Sequence, residues 1–549
     1  MINFFNFFNT NLHYIEIGIL FLCIIFGVSL IKEKTRDFTY FLNRLSFFYL
    51  IFIFLILPVD VIQNLNEINQ NLIMNNIFSK LSEIETLFSQ KSNQFILLLI
   101  AIFFYGISDR FFIQNNTEIE YPILVYFIHF GIILSLTTSN IIEFVLGLEI
   151  ITLTSYVLVA FERQNHYSTE GGVQYFILGS IPSAMLVLGC GLLYYVSGTL
   201  NFNFLKEWIF QKNLLENSNL LINNEDYNLF LKWNNFANFD TNAAVITTLD
   251  FIPYNENSHS FYNLDKSFLK TENRFFFALI LIFLNFLFKL TMAPFHFWAP
   301  QIYGKAPIAS SAFLSIASKV VILLISIKFY FLLPTEFKIF IEAFISFCAV
   351  LTLIFALIGA FIEFSIKKFY VYSSMGHVAF MMIAIFLPTL IGPLSGLQYL
   401  FVYVISSYIM WFTLLHLGRK NVFLSDFKYL KQSNPLLGLI FAMLVFSMSG
   451  IPPLGGFFVK LDVLSALLEN SRFYLNYIYF FFTVASFFYY LRLIKIIYFD
   501  KVNDLIKQEF VSKERLTIIS IFFLFLIFYI LLIQKPFIIL QIEFLSSLL

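Results

Sequence analysis

The sequence predicts an all-α, polytopic membrane protein, and three observations lead there. Of 549 residues, 59% are hydrophobic and 12% charged, against about 45–50% and about 25% in soluble domains. The mean hydropathy is +0.80. The apolar residues come in long runs, each near the roughly 17–25 residues that a helix needs to cross a bilayer. Membrane barrel strands would alternate apolar and polar residues instead. These features exclude a water-soluble enzyme, and they exclude a disordered chain, which needs low hydrophobicity.

By the length criterion about fourteen spans follow: 14–31, 45–61, 94–108, 121–138, 141–161, 172–197, 275–298, 308–333, 337–362, 370–391, 395–417, 435–468, 473–498 and 516–534. The run 435–468 is long for one span and carries Ser449-Gly450-Ile451-Pro452-Pro453 in its middle, which predicts a broken helix. Two polar inserts, 62–93 and 199–273, read as extramembrane loops. The chain thus divides into N-terminal helices (1–120), a first half (121–333) holding the longer insert, a second half (337–500), and a C-terminal helix with an apolar, interfacial tail (501–549).

Charge and cysteine usage narrow the partners. The net charge is zero, with 34 basic and 34 acidic residues, which argues against a nucleic-acid partner. Cys23, Cys190 and Cys348 lie far apart and offer neither a metal spacing nor a disulfide framework. The 76 phenylalanines, with abundant Ile, Leu and Asn, point to an AT-rich genome of the kind organelles carry. No basic residue precedes Lys32, so no cleaved presequence is expected and the chain is expected to be made where it is used. Lys and Arg in short loops set orientation. Lys32, Lys34, Arg36, Arg44, Lys367, Lys368, Arg419, Lys420, Lys428, Lys431, Lys501, Lys507, Lys513 and Arg515 fall on one face, and few basic residues such as Lys338 and Arg472 on the other. The basic face is expected to be matrix or cytoplasm, with both termini and both inserts opposite.

The informative residues are charges inside apolar spans, which cost about 2.5–3.5 kcal/mol each at the bilayer centre. Glu149, Lys289, Lys319 and Lys460 stand out. The bland reading is a snorkelling lysine or a static buried pair, but three lysines and a glutamate together favour an ion path. Two of the lysines lie beside helix breakers: Pro294 after Lys289, and Pro452-Pro453 before Lys460. Interrupted helices at membrane depth line cavities or pack on protein, and in transporters they mark ion pathways. His129, His296, His377 and His416 also fall in or near spans. Of these, His296 and His377 are candidate relay or gate groups, although a buried histidine is more often a satisfied hydrogen-bonding residue. Ser373, Ser374, Ser447, Ser449 and Thr291 offer hydroxyls that can hold water near them. No dinucleotide fingerprint, P-loop, HExxH or cysteine cluster occurs, so this chain is expected to bind no NADH, flavin, iron–sulfur cluster or metal.

These motifs resemble the subunit-2 family of antiporter-like membrane subunits in mitochondrial NADH:ubiquinone oxidoreductase (complex I), a group related to bacterial cation/proton antiporter subunits. The resemblance covers most of 121–500. Its carriers are Leu146-Gly-Leu-Glu149 through Phe161, Ser168 through Ser180, Phe288-Lys289-Leu-Thr-Met-Ala-Pro-Phe-His-Phe-Trp-Ala-Pro300 continuing to Lys319, Tyr372-Ser-Ser-Met-Gly-His377, Ser449-Gly-Ile-Pro-Pro-Leu-Gly-Gly-Phe457 ending in Lys460, and Tyr489 through Tyr498. The resemblance implies fourteen helices, with 121–333 and 337–500 as inverted antiporter-like repeats and the seventh and twelfth helices broken. It implies that Glu149 pairs with Lys289, that Lys319 is the central relay and that Lys460 is the terminal lysine of a proton channel. It also implies neighbouring antiporter-like subunits as partners, quinone reduction elsewhere as the energy source, and the mitochondrial inner membrane as the location. NADH, FMN, iron–sulfur clusters and ubiquinone then belong to partner subunits. Departures are Gln174 where the family often has lysine, Gln301 for a usual Asp, Ile308-Ala309 for a usual Thr-Pro, and the length of insert 199–273. Two rivals remain open: a subunit of a multisubunit sodium/proton antiporter, and a non-pumping scaffold with inert buried charges.

Overall fold

The computed structural model describes residues 120–138, 140–202, 204–205, 261–333, 335–389, 391–417 and 423–500. The expected spans 14–31, 45–61, 94–108 and 516–534, insert 62–93 and the tail lie outside the described residues, as does most of insert 199–273.

Thirteen α-helices follow one another among the described residues: α1 Glu120–Thr137, α2 Ile141–Val159, α3 His166–Ser197, α4 Phe261–Lys289, α5 Trp298–Lys305, α6 Ile308–Leu332, α7 Thr335–Ile362, α8 Ile366–Ile385, α9 Ile391–Leu417, α10 Leu430–Ser433, α11 Pro435–Ser449, α12 Gly455–Glu469 and α13 Phe473–Tyr498. A 3₁₀ turn, Leu424–Tyr429, precedes α10. No strand forms among the described residues. Six helices there are long and apolar enough to cross a bilayer: α2, α3, α6, α7, α9 and α13. The chain is a helical membrane protein.

Several boundaries differ from the sequence expectation, each for a local reason. Helix α3 begins six residues early because the Asn165 side chain accepts from the Tyr167 amide at 3.2 Å and caps it. Helix α8 ends at Ile385 rather than 391 because Pro388 follows, and the residue before a proline is driven out of helical geometry. The insert 199–273 is not wholly loop, since 261–273 is already the first part of α4. Lys367 is not a solvated loop residue. It lies inside α8, buried, with its ammonium on the Ala306 carbonyl at 2.7 Å.

Burial sorts the helices into centre and rim. The apolar windows of α6 and α9 are 89% and 94% buried, whereas that of α13 is 22% buried. With α8, nearly every residue of which is buried, α6 and α9 therefore form the centre where water-excluded polar groups are held. Helices α1 and α2 cross at contact distance through Gly131 and Gly147. A Cβ on Gly131 would stand 2.8 Å from the Gly147 carbonyl oxygen, so only small residues allow the crossing.

Candidate functional site

The first interruption separates α4 from α5. Helix α4 stops at Lys289, and Thr291 then takes φ +59°, a left-handed conformation that is strained for a β-branched residue. Helix α7 holds the break from outside, where the Thr352 hydroxyl accepts from the Ala293 amide at 2.9 Å. Trp298 opens α5, stacked between Phe288 and Tyr175 at centroid distances of 5.2 and 5.1 Å, and its indole N–H donates to the Phe288 carbonyl at 3.2 Å. Pro294 is exposed at the turn. His296, in the same turn, is buried between Phe297 and Phe355.

Lys289 is buried, and its ammonium has no hydrogen-bonding partner among the described residues. Glu149, the carboxylate that the resemblance pairs with it, lies on α2. The two make no direct ion pair. Thr152 engages Glu149 instead, its hydroxyl 3.2 Å from Oε2, while Oε1 is buried without a partner. An unpaired buried ammonium is costly, as is a carboxylate oxygen buried without a partner. With no bond between them, a change in their separation changes the electrostatic energy of both.

Lys319 sits in the centre of the bundle, 1% exposed. Its ammonium donates to Ser374 Oγ on α8 at 2.6 Å. The Ser374 hydroxyl gives its own hydrogen to the Val371 carbonyl at 2.7 Å, which leaves its lone pairs for the lysine. Tyr403 of α9 presents its ring face to the ammonium at 5.9 Å, while its hydroxyl donates to the Ser315 carbonyl at 3.2 Å.

The second interruption separates α11 from α12. Gly450 ends α11 at φ +88°, its amide on the Phe446 and Ser447 carbonyls at 3.1 and 3.0 Å. Ser447 spans the gap by accepting from the Gly456 amide at 3.1 Å. Lys460 returns from α12 and donates to the carbonyls of Met448 at 2.9 Å and Ser449 at 3.0 Å. A helix C-terminus leaves such carbonyls unpaired and carries partial negative charge, so a buried ammonium is well placed there. A Cβ on Gly450 would lie 3.1 Å from Lys460 Cδ, so glycine serves both the backbone turn and the approach of the lysine. Pro452 and Pro453 form the exposed side of the break.

His377 follows Ser374 by less than a helical turn on α8. Its ring nitrogens meet the Tyr399 hydroxyl at 2.9 Å and the Tyr490 hydroxyl at 3.0 Å. His377 and Lys460 line a shared cavity of about 20 Å³, room for a single water molecule. The structure therefore places Lys319 on Ser374 and Lys460 beside His377, with Ser374 and His377 less than a turn apart on α8. Lys289 stands at the first break without a bond to Glu149, which is engaged by Thr152 of its own helix, and His296 has aromatic neighbours rather than ionic ones.

Some polar residues escaped the sequence reading. Lys328, in α6, reaches back to the Leu136 carbonyl at the end of α1. Buried Glu342 forms a two-pronged pair with Arg472 at 2.8 and 3.0 Å, tying α7 to the start of α13. Lys305 reaches Glu170 at 2.7 Å and Gln174 at 2.8 Å, so a cation does arrive where Gln174 replaces a lysine. Charges inside apolar runs were the available signal for Lys328 and Glu342. For Tyr399 and Tyr490 there was none.

Two interrupted helices turned toward buried lysines set this chain among polytopic helical membrane proteins with broken spans. The model of a family described as "NADH:quinone oxidoreductase/Mrp antiporter, TM" matches residues 138–225 and 250–488, and the chain belongs to that family. It is 27% identical to NADH-ubiquinone oxidoreductase chain 2 of Marchantia polymorpha, over 92% of each chain. It is also 27% identical to NADH-quinone oxidoreductase subunit N of Pelagibacter ubique, over 81% of this chain and 80% of that one. A chain of respiratory complex I from Thermus thermophilus shares the fold, with a TM-score of 0.61 and 18% identity, over 92% of this chain and 96% of that one.

Proposed function

We propose that this chain is a proton-translocating membrane-arm subunit of NADH:ubiquinone oxidoreductase, in the mitochondrial inner membrane. The observation that carries the reading is the buried placement of Lys319 on Ser374 and of Lys460 beside His377, in the most enclosed part of a family fold with two interrupted helices. In this reading Glu149 and Lys289 are the input pair, Lys319 is the central carrier and Lys460 the terminal one. Residues 121–333 and 337–500 are the two antiporter-like repeats, each holding one interrupted helix. The basic loops face the matrix and both termini the intermembrane space.

The physics needs no redox centre in this chain. Removing an ammonium from water disfavours its charged form, and a nearby carboxylate restores it. Glu149 and Lys289 are not bonded, so bringing them together or apart alters the field along α6. About 1.4 kcal/mol is a tenfold change in a protonation equilibrium, so a modest displacement suffices. The driving energy comes from quinone reduction in partner subunits, which also carry NADH, FMN, iron–sulfur clusters and ubiquinone. Partners of this chain are neighbouring membrane-arm subunits, including antiporter-like ones, together with lipid.

The test is Lys319→Met in the assembled complex, reconstituted in vesicles. Loss of proton pumping with quinone reduction retained supports the reading, and unchanged pumping refutes it. Co-purification with redox subunits separates this reading from a multisubunit sodium/proton antiporter, and a scaffold role predicts impaired assembly with pumping spared.

A further inference from the structure

His377 is held on both sides. The Tyr399 hydroxyl comes from α9 to Nδ1, and the Tyr490 hydroxyl comes from α13 to Nε2. All three residues are buried, at 8%, 3% and 2% exposure. A neutral imidazole has one N–H and one bare nitrogen. Two phenols on its two sides therefore play opposite roles, one donating into the ring and one accepting from it. The row Tyr399–His377–Tyr490 then has a direction at any moment, and reversing the tautomer reverses both phenol hydrogens. Lys460 shares the small cavity with His377 and Tyr399, which supplies the row with a neighbouring proton donor and acceptor.

We propose that Tyr399 and Tyr490 are proton-relaying residues that hold His377 between them as a one-proton switch beside Lys460. This rests on the reading of the chain as a proton-translocating subunit. With the hydrogen on Nε2, a proton reaching the Tyr399 oxygen moves that phenol's own hydrogen onto Nδ1. The ring releases its Nε2 hydrogen to the Tyr490 oxygen, and Tyr490 passes its own hydrogen to the neighbouring Ser373 hydroxyl. One proton enters, one leaves, and no group keeps a charge. The ring cannot pass a second proton in that sense until the tautomer and both phenol hydrogens have reset.

The experiment measures protons pumped per electron in vesicles of the assembled complex for Tyr399→Phe, Tyr490→Phe, the double variant, His377→Gln and Lys319→Met. A serial switch predicts that each single tyrosine variant lowers the ratio as much as the double variant does, with quinone reduction retained. His377→Gln keeps a donor and an acceptor but cannot exchange a proton, so it lowers the ratio equally, and it decides the matter if a tyrosine variant fails to assemble. Additive losses in the double variant, or an unchanged ratio in His377→Gln, overturn the switch. If the tyrosine and His377 variants are silent while Lys319→Met abolishes this subunit's share of pumping, the switch is wrong and the parent reading stands. If Lys319→Met is silent as well, both are wrong.

Discussion

Lys460 closes the broken end of α11 by donating to the Ser449 carbonyl at 3.0 Å, with Met448 as a second acceptor at 2.9 Å. The lysine is thus both a candidate proton carrier and the cap of the interruption. Deprotonation would not abolish the capping geometry but would remove its charge-assisted part, so the protonation state of Lys460 and the shape of the break are linked.

Substitution at Lys460 should expose that link. Hydrogen bonds from charged groups contribute about 1.5–3 kcal/mol, and Lys460→Met leaves two carbonyls without their donor. We expect faster amide hydrogen exchange at 450–456 in the assembled complex together with loss of pumping. Lys460→Arg should restore the exchange protection but not the pumping, because a guanidinium does not release its proton.

Ser374 should matter through Lys319 alone. Ser374→Ala removes the acceptor of a 2.6 Å hydrogen bond while leaving the helix intact. At about 1.5–3 kcal/mol, the expected effect on the proton-transfer rate is roughly tenfold or more. Ser374→Thr keeps the hydroxyl and should behave close to the unaltered protein. Proton uptake kinetics in vesicles, read beside NADH oxidation, checks both.

Lys328 serves as the contrasting lysine. Its ammonium satisfies a carbonyl at the end of α1 rather than Ser374 or His377. Lys328→Met should lower the thermal stability of the assembled complex, by an amount on the order of 1–3 kcal/mol locally, and leave protons pumped per electron unchanged. A fall in the ratio at normal stability would place Lys328 in the path.

Gly450→Ala tests the second break. Its φ of +88° and the 3.1 Å approach of Lys460 Cδ both exclude a Cβ. A strained backbone position costs about 1–3 kcal/mol, and the lysine must also shift. Reduced assembly yield, with pumping reduced in what does assemble, is the expected outcome.

Much of this architecture is legible in the chain because hydrophobic run length and proline are strong signals. Helix α13, both interruptions and the buried lysines at 289, 319 and 460 follow from them. The end of α8 does not, because the apolar run continues past Pro388 and run length alone ignores the backbone. The partners of the lysines are less legible still. Ser374 is 55 residues from Lys319, and Leu136 is 192 from Lys328. Tyr490 looks like any other aromatic residue of a lipid-facing helix until the fold turns it toward His377. The resemblance pairs Glu149 with Lys289, but the structure leaves them unbonded, with Thr152 on the carboxylate.

That unbonded pair is where the account is most exposed. The direct measurement is protons pumped per electron in reconstituted complex carrying Lys289→Met, beside Glu149→Gln, with NADH oxidation followed in the same vesicles. A charge-driven path predicts that both variants oxidise NADH while the ratio falls by the same amount, because either loss silences the same input. A ratio equal to that of the unaltered complex in both would contradict it.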